Sequence, residues 1–300
     1  VNEKNRDTFQ GILAILLWGS TLGFSRSLTE KLGTLTAASC IFLLAGCLSC
    51  AYVVFSGGFG RIIRLSGTYI IGCGALFVVY MVSLYVAIGT AASRLQVLEV
   101  GLVNYLWPAL TLLLAVPILK NRASVTLIPG CLLAFGGVLL AATGVGVSWD
   151  VFVGNLKGGW SPYMFAFVAA ACWALYSNLA RRWAGEAESG AVPLFLLGSA
   201  LTLVTLRFAF PEATDWTRQS VLELAYMAVF PTVLAYAFWD AAVRRGNMIL
   251  VASLSYLTPL LSIIIASVYL GVGTGWNLWV GCILVVVGSL TCRLSVKEPG

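Results

Sequence analysis

Histidine is absent from the 300 residues, and acidic and basic residues together make up only 10% of them. The first absence removes the commonest proton shuttle and transition-metal ligand. The second removes most of what solvates a soluble surface. Enzyme signatures are missing as well: there is no GxxxxGKS/T, no GxSxG, no HExxH and no Asp/Glu pair at catalytic spacing within the apolar segments. Gly57-Gly58-Phe59-Gly60 lacks a following Lys-Ser/Thr and reads as a turn, not a nucleotide cradle. Neither a cofactor nor a metal is expected.

What fills the chain instead is apolar: 60% hydrophobic residues and a mean hydropathy of +0.94 lie far outside the soluble range. Between Gly246 and Cys292 there is no charged residue, and charge-free runs also cover Leu32–Gly60, Leu65–Ser93, Ala123–Trp149 and Gly158–Ala180. Since roughly 20 apolar residues cross the hydrocarbon core, each run holds one span or a tight pair. Stretches such as Ile41–Phe55 are nearly continuously apolar, whereas barrel strands alternate, so the fold class is all-α and polytopic. Ten transmembrane helices are predicted near residues 9–26, 36–56, 67–88, 96–118, 125–145, 162–182, 191–210, 221–243, 249–270 and 276–292. The N-terminal stretch lacks an Ala-x-Ala cleavage site and reads as a retained first helix.

The net charge of +6 is scattered over short loops, so it reports topology and not nucleic-acid binding. With both termini cytoplasmic, the inner loops and ends collect Lys4, Arg6, Arg61, Arg64, Lys120, Arg122, Arg181, Arg182, Arg244, Arg245, Arg293 and Lys297, twelve of the eighteen basic residues. That is the positive-inside bias. The eight cysteines lie in apolar segments, and Cys47-Leu48-Ser49-Cys50 reads as packing and not as a redox or metal motif.

The chain repeats itself. VNYLWPALTLL from Val103 matches LSYLTPLLSII from Leu254, pairing Tyr105 with Tyr256 and Pro108 with Pro259 at an offset of 151. The same offset pairs Tyr85 with Tyr236, Gly130-Cys131 with Gly281-Cys282, and Gly137 with Gly288; Trp18 and Arg26 pair with Trp173 and Arg181 at 155. Matched Pro, Gly, Trp and Tyr point to one duplication, with residues 1–150 and 156–300 as halves of a single membrane domain. Five spans per half is odd, so the second half enters the membrane inverted: a 5+5 inverted repeat, the architecture of many secondary transporters.

Pro108 and Pro259 each remove a backbone donor, leaving the carbonyls of Asn104 and Ser255 short of a partner. In lipid such groups face protein, water or a ligand. Two readings stand: the breaks line a central cavity, or the kinks serve helix packing alone. Trp18, Tyr80, Trp107, Trp173, Tyr176, Tyr236 and Tyr256 lie at mid-span depth, where their rings offer stacking and cation–π surface, or ordinary packing. Trp149, Trp160, Trp183, Trp216 and Trp276 belong to the interfacial belts. Intramembrane charge is limited to Glu99, Arg207, Glu223 and Asp240, each near enough to an interface to snorkel. Glu99 and Asp240 are the candidates for proton coupling. An uncharged centre suits a substrate of no net charge, whose ammonium group would meet Asn104, Ser177 or Ser255 and the freed carbonyls.

The ten-span arrangement with mid-helix prolines in the fourth and ninth spans resembles the drug/metabolite transporter (EamA) superfamily. EVGLVNYLWP at Glu99–Pro108, ILLWGSTLGFSR in the first span, SYLTP in the ninth and GCILVVVGSL in the tenth make it similar to the YddG-type aromatic amino acid exporters of bacterial inner membranes. The resemblance covers essentially the whole chain. It implies a basket in which helices one, three, four, six, eight and nine surround the substrate, with five and ten behind. It further implies export of Phe, Tyr, Trp and other neutral amino acids by alternating access, with the lipid bilayer and the small-molecule substrate as partners. Where many superfamily members carry a Gly-Glu pair after the fourth span, this chain reads Leu119-Lys120-Asn121-Arg122, so no role of that glutamate transfers.

Overall fold

The computed structural model describes residues 3–143, 148–184, 187, 190–262 and 276–297. They are almost wholly helical; among the described residues, the one strand pairing joins Arg122–Ala123 to Val296–Lys297, antiparallel. Six helical stretches are long and apolar enough to cross a membrane: Thr34–Phe55, Tyr69–Thr90, Glu99–Leu119, Ser161–Ala184, Val192–Ala209 and Arg218–Arg245. Three shorter apolar ones cover Leu127–Ala141, Met248–Ser262 and Trp279–Ser295. The expected spans near 36–56, 67–88, 162–182, 191–210 and 221–243 start and stop within about three residues of these. The span expected over 249–270 is seen only as far as residue 262, and its remainder lies outside the described residues.

The elements run α1 (Glu3–Gly19), α2 (Thr21–Leu32), α3 (Thr34–Phe55), α4 (Phe59–Ile63), α5 (Gly74–Thr90), α6 (Arg94–Asn104), α7 (Trp107–Leu119), α8 (Leu127–Thr143) and α9 (Trp149–Gly158). They continue with α10 (Ser161–Ala184), α11 (Val192–Ala209), α12 (Arg218–Met227), α13 (Ala235–Arg245), α14 (Met248–Leu254), α15 (257–262) and α16 (Trp276–Ser295).

The first span departs from expectation. A single helix over 9–26 is replaced by α1 and α2, broken at Ser20. The cause is local: the hydroxyls of Ser20 and Thr21 bond the carbonyls of Leu17 and Trp18, both at 2.7 Å, competing with the backbone ladder. The fourth and ninth spans are also interrupted. Leu106 N–H turns back to the Val103 carbonyl at 3.1 Å, and Pro108 enters the first turn of α7, where its missing donor costs least. Ser255-Tyr256 separates α14 from α15 in the same way. There the expectation of a free Ser255 carbonyl is wrong: Thr258 N–H reaches it at 3.0 Å, because the turn tightens to i→i+3 bonding one residue short of Pro259. Two π-helical segments, Tyr69–Cys73 before α5 and Ala228–Leu234 between α12 and α13, the second around Pro231, give these spans irregular backbone as well.

α10 is the hub, packing on α5, α6, α7 and α13, while α3 pairs with α11 and α1 with α13. α8 and α16 form a separate antiparallel pair. A Cβ on Gly137 would stand 2.7 Å from the Gly281 carbonyl oxygen, and one on Gly281 only 2.6 Å from that of Gly137, so bare backbones touch there. The contacts repeat at the offset of 151: Gly130 meets Cys292 as Gly281 meets Ala141, and Gly137 meets Val285 as Gly288 meets Ala134.

One end of the bundle is tied together by basic residues. Arg245 pairs with Asp7 at 3.0 Å, Arg181 donates to the Gly246 carbonyl at 2.9 Å, and Arg182 to that of Ile118 at 3.4 Å. At the opposite end the Glu212 carboxylate accepts from the backbone N–H groups of Leu35 and Thr36, at 3.0 and 2.8 Å. It thereby caps α3 at the tight Gly33 turn (φ +79°), where any side chain would collide with it. Of the tryptophans expected in the interfacial belts, Trp149, Trp160, Trp216 and Trp276 are exposed, whereas Trp183 is half-buried against Gly72.

Candidate functional site

Trp173, only 2% exposed on the central helix α10, is surrounded by aromatic rings. Its centroid lies 4.7 Å from Tyr80, 5.1 Å from Tyr176, 5.6 Å from Tyr236 and 5.7 Å from Trp18. Phe77, Trp239 and Trp107 complete the shell at 5.9, 6.0 and 6.3 Å. The rings meet edge-on or tilted, the arrangement their quadrupoles favour, and each such pair is worth about 0.5–1.5 kcal/mol beyond area burial. They come from α1, α5 and α7 on one side and from α10 and α13 on the other.

Six of the seven rings anticipated at mid-span depth therefore converge. Phe77 and Trp239 were not anticipated, although the signal was present: each stands three residues from a recognised ring, Tyr80 and Tyr236, and so shares its helix face. Tyr256 does not join them. It is buried in a separate apolar cluster with residues of α7, α8, α14 and α16.

Few polar groups reach the rings. Trp18 donates its indole N–H to the Pro231 carbonyl at 3.0 Å, and Trp239 donates to Ser177 Oγ at 3.2 Å. Ser177 in turn donates to the Trp173 carbonyl at 2.9 Å. Asn104 borders the Tyr80 hydroxyl, as do Tyr85, Tyr105 and Tyr236, and its buried Oδ1 has no hydrogen-bond partner. A buried amide oxygen left unpaired costs about 1–3 kcal/mol. Asn178, missed in the sequence, cross-links α10 to α7 by donating to the Thr111 carbonyl at 3.0 Å. Ser255 is fully buried and its hydroxyl is spent on the Ala252 carbonyl at 2.6 Å.

The acidic residues behave differently from expectation. Asp240 does not snorkel: it is 2% exposed and accepts from Arg244 Nε at 2.8 Å, from the Tyr176 hydroxyl at 2.9 Å and from the Tyr69 hydroxyl at 3.1 Å. Packing of α13 against α10 and the π-helical turn before α5 encloses it. Glu99, also fully buried, accepts from Asn155 at 3.0 Å and from the Tyr163 hydroxyl, while its Oε1 has no partner. It sits where α6, α9 and α10 meet, apart from the rings. Glu223 is held by Gln219 at 2.7 Å. Among the described residues no group of three or more Cys, Asp or Glu is placed to hold a metal ion.

A bundle of apolar helices around a buried, net-neutral aromatic core is the form of a polytopic membrane transporter. The profile of the EamA-like transporter family matches residues 8–143 and again 160–293, and the chain belongs to that family. It is 32% identical to the aromatic amino acid exporter YddG of Escherichia coli K12 over 98% of this chain and 99% of that protein. The YddG of Salmonella typhimurium 14028s matches equally, and that of Ancylobacter novellus is 28% identical over 99% of this chain and 100% of that protein. A solved crystal structure superposes with a TM-score of 0.80 at 25% identity, covering 96% of this chain and 98% of the other.

Proposed function

We propose that the protein is a secondary transporter exporting aromatic and other neutral amino acids across the bacterial inner membrane by alternating access. Ten spans in a 5+5 inverted repeat form the carrier, with both termini and the Arg-rich end facing the cytoplasm. The double family match and the α8–α16 contacts that recur at one offset support the repeat. The names of the similar exporters support the substrate class.

The observation that carries the reading is the Trp173 shell. Trp18, Phe77, Tyr80 and Trp107 come from residues 1–150, and Tyr176, Tyr236 and Trp239 from 156–300, so rocking the halves apart opens a gap lined by rings. An aromatic substrate side chain replaces ring–ring contacts with ring–substrate contacts, which keeps opening near energetic balance. Asn104 Oδ1 accepts from the substrate ammonium, and Ser177 with the Trp18 and Trp239 indoles orients the rest. Pro108 and Pro259 place the helix breaks that let α6–α7 and α14–α15 bend.

Counterflow of labelled tryptophan in proteoliposomes tests this, with Trp173→Ala beside the parent. We expect saturable exchange for Trp and Phe, lowered at least tenfold by the substitution. Exchange of unrelated organic cations without Trp exchange would establish a broad drug exporter instead, and conductance without saturation a channel.

A further inference from the structure

α9 falls between the two stretches that the family profile matches, so neither repeat accounts for it. At ten residues it is about 15 Å long, half of what crossing the hydrocarbon core requires. Yet it stands where two spans begin. Only Gly159 and Trp160 separate it from the span Ser161–Ala184, and its Asn155 donates to Glu99, the first residue of the span Glu99–Leu119. Both spans finish at the Arg-rich end, where Arg182 donates to the Ile118 carbonyl, so α9 lies at the opposite end of the bundle.

No residue of α9 is buried. With successive residues turned by about 100°, Trp149, Phe152, Val153 and Leu156 share an arc of about 100°, and of the apolar residues Val151 alone falls outside it. Phe152 at one edge of the arc and Asn155 just beyond it hold the helix to the bundle: Phe152 packs on Tyr163 with ring centroids 5.2 Å apart, and Asn155 reaches Glu99 Oε2 at 3.0 Å. Asp150 and Lys157 are exposed on the flank roughly opposite Asn155. That side is open, since a Cβ on Gly154 or Gly158 would meet nothing within 4 Å. Between the tied flank and the charged flank the rest of the apolar arc is uncovered, with Trp149 75% exposed and Leu156 38%.

We infer that α9 is a bilayer-surface helix whose Trp149–Val153–Leu156 face enters the headgroup region of the leaflet at the end opposite the arginines. A short helix with an apolar arc and a charged flank lies in the plane of the interface, the arc toward the acyl chains and the charges toward water. Here the tie to Glu99 and Tyr163 fixes the roll of the helix, and that roll leaves Trp149, Val153 and Leu156 to the lipid. Trp149 and Trp160, both exposed, bracket the helix and suit the headgroup level, because an indole joins an apolar body to one N–H donor. A second copy of the chain is the poorer occupant: three side chains of one helix fall far short of the roughly 20–30 residues a side that a stable interface takes. The inference does not depend on the substrate.

The test is photo-cross-linking of the full chain in liposomes of phosphatidylethanolamine and phosphatidylglycerol, with p-benzoylphenylalanine in place of Val153 or Leu156 and, as controls, of Asp150 or Lys157. Phospholipid adducts, read by mass spectrometry, should form at Val153 and Leu156 about fivefold or more above the two controls. Equal yields at all four positions overturn the inference, as do adducts that join two copies of the chain at Val153 and Leu156. A second measurement needs no bulky probe. The fluorescence that Trp149→Phe removes from the parent should be quenched about twofold or more by lipids brominated high on the acyl chain, and hardly at all by iodide in the water. Quenching by iodide and not by the brominated lipids overturns the inference while leaving the transport reading standing.

Discussion

Trp18 donates its indole N–H to the carbonyl of Pro231, 3.0 Å away and 213 residues along the chain, inside the π-helical segment between α12 and α13. A wide π turn leaves carbonyls poorly satisfied, and here one of them is met by a side chain of the first span. The bond joins the two halves beside the ring shell. Trp18→Phe keeps the ring and removes the donor. Thermal unfolding in detergent should show a loss of about 1 kcal/mol, the usual worth of one hydrogen bond, with tryptophan counterflow reduced several-fold. No change in either would remove the bond from the mechanism.

Glu99 offers a buried carboxylate with one unpartnered oxygen, whereas Asp240 is committed to Arg244. Of the two proton-coupling candidates, Asp240 is the one held in an ion pair, while Glu99 is held by Asn155 and Tyr163. We expect Glu99→Gln to abolish stimulation of tryptophan transport by an imposed pH gradient while leaving counterflow intact. Equal stimulation in parent and variant would exclude coupling through this residue.

Adjacent glycines on α8 should respond oppositely to alanine. A Cβ on Gly137 meets the Gly281 carbonyl at 2.7 Å, while one on Gly136 meets nothing within 4 Å. Gly137→Ala should destabilise the protein by about 1–3 kcal/mol through forced separation of α8 and α16. Gly136→Ala should be neutral or stabilising by under about 1 kcal/mol, as expected for glycine replaced inside a helix. Melting temperatures of the two variants decide the matter.

Cys131 on α8 and Cys292 on α16 bring their sulfurs to 3.5 Å. In a variant whose other six cysteines are serine, mild copper-catalysed oxidation should cross-link the pair. Since these helices already pack backbone on backbone and stand apart from the Trp173 shell, counterflow should stay within twofold. Arrest of transport on cross-linking would show that α8 and α16 move against each other.

Much of the fold was legible because the bilayer imposes a strong constraint: charge-free runs can only be helices there, and their lengths set the spans. The first span resisted because its break depends on two hydroxyls competing for backbone carbonyls, a contest composition does not reveal. Ser255 shows a similar limit. Removing a donor at Pro259 predicts an orphan carbonyl in an ideal helix, but a tightened turn lets Thr258 supply another. The ring shell was legible as to residue type, while Tyr256 could not be told from its neighbours without knowing which way its turn faces.

By itself the sequence determined the helical class, the repeated prolines and glycines, and the set of aromatic residues near the middle of the expected spans, all of which follow from local pattern and the low polarity of lipid. Only the tertiary structure decided which rings meet on Trp173, and that Asp240 is locked to Arg244 beneath Ala187 and Gly190 instead of snorkelling to an interface. Those outcomes depend on how distant helices rotate and pack, and rotation is fixed by contacts between segments far apart in the chain, Trp18 with Pro231 and Thr8 with Asn247 among them, which no local pattern encodes.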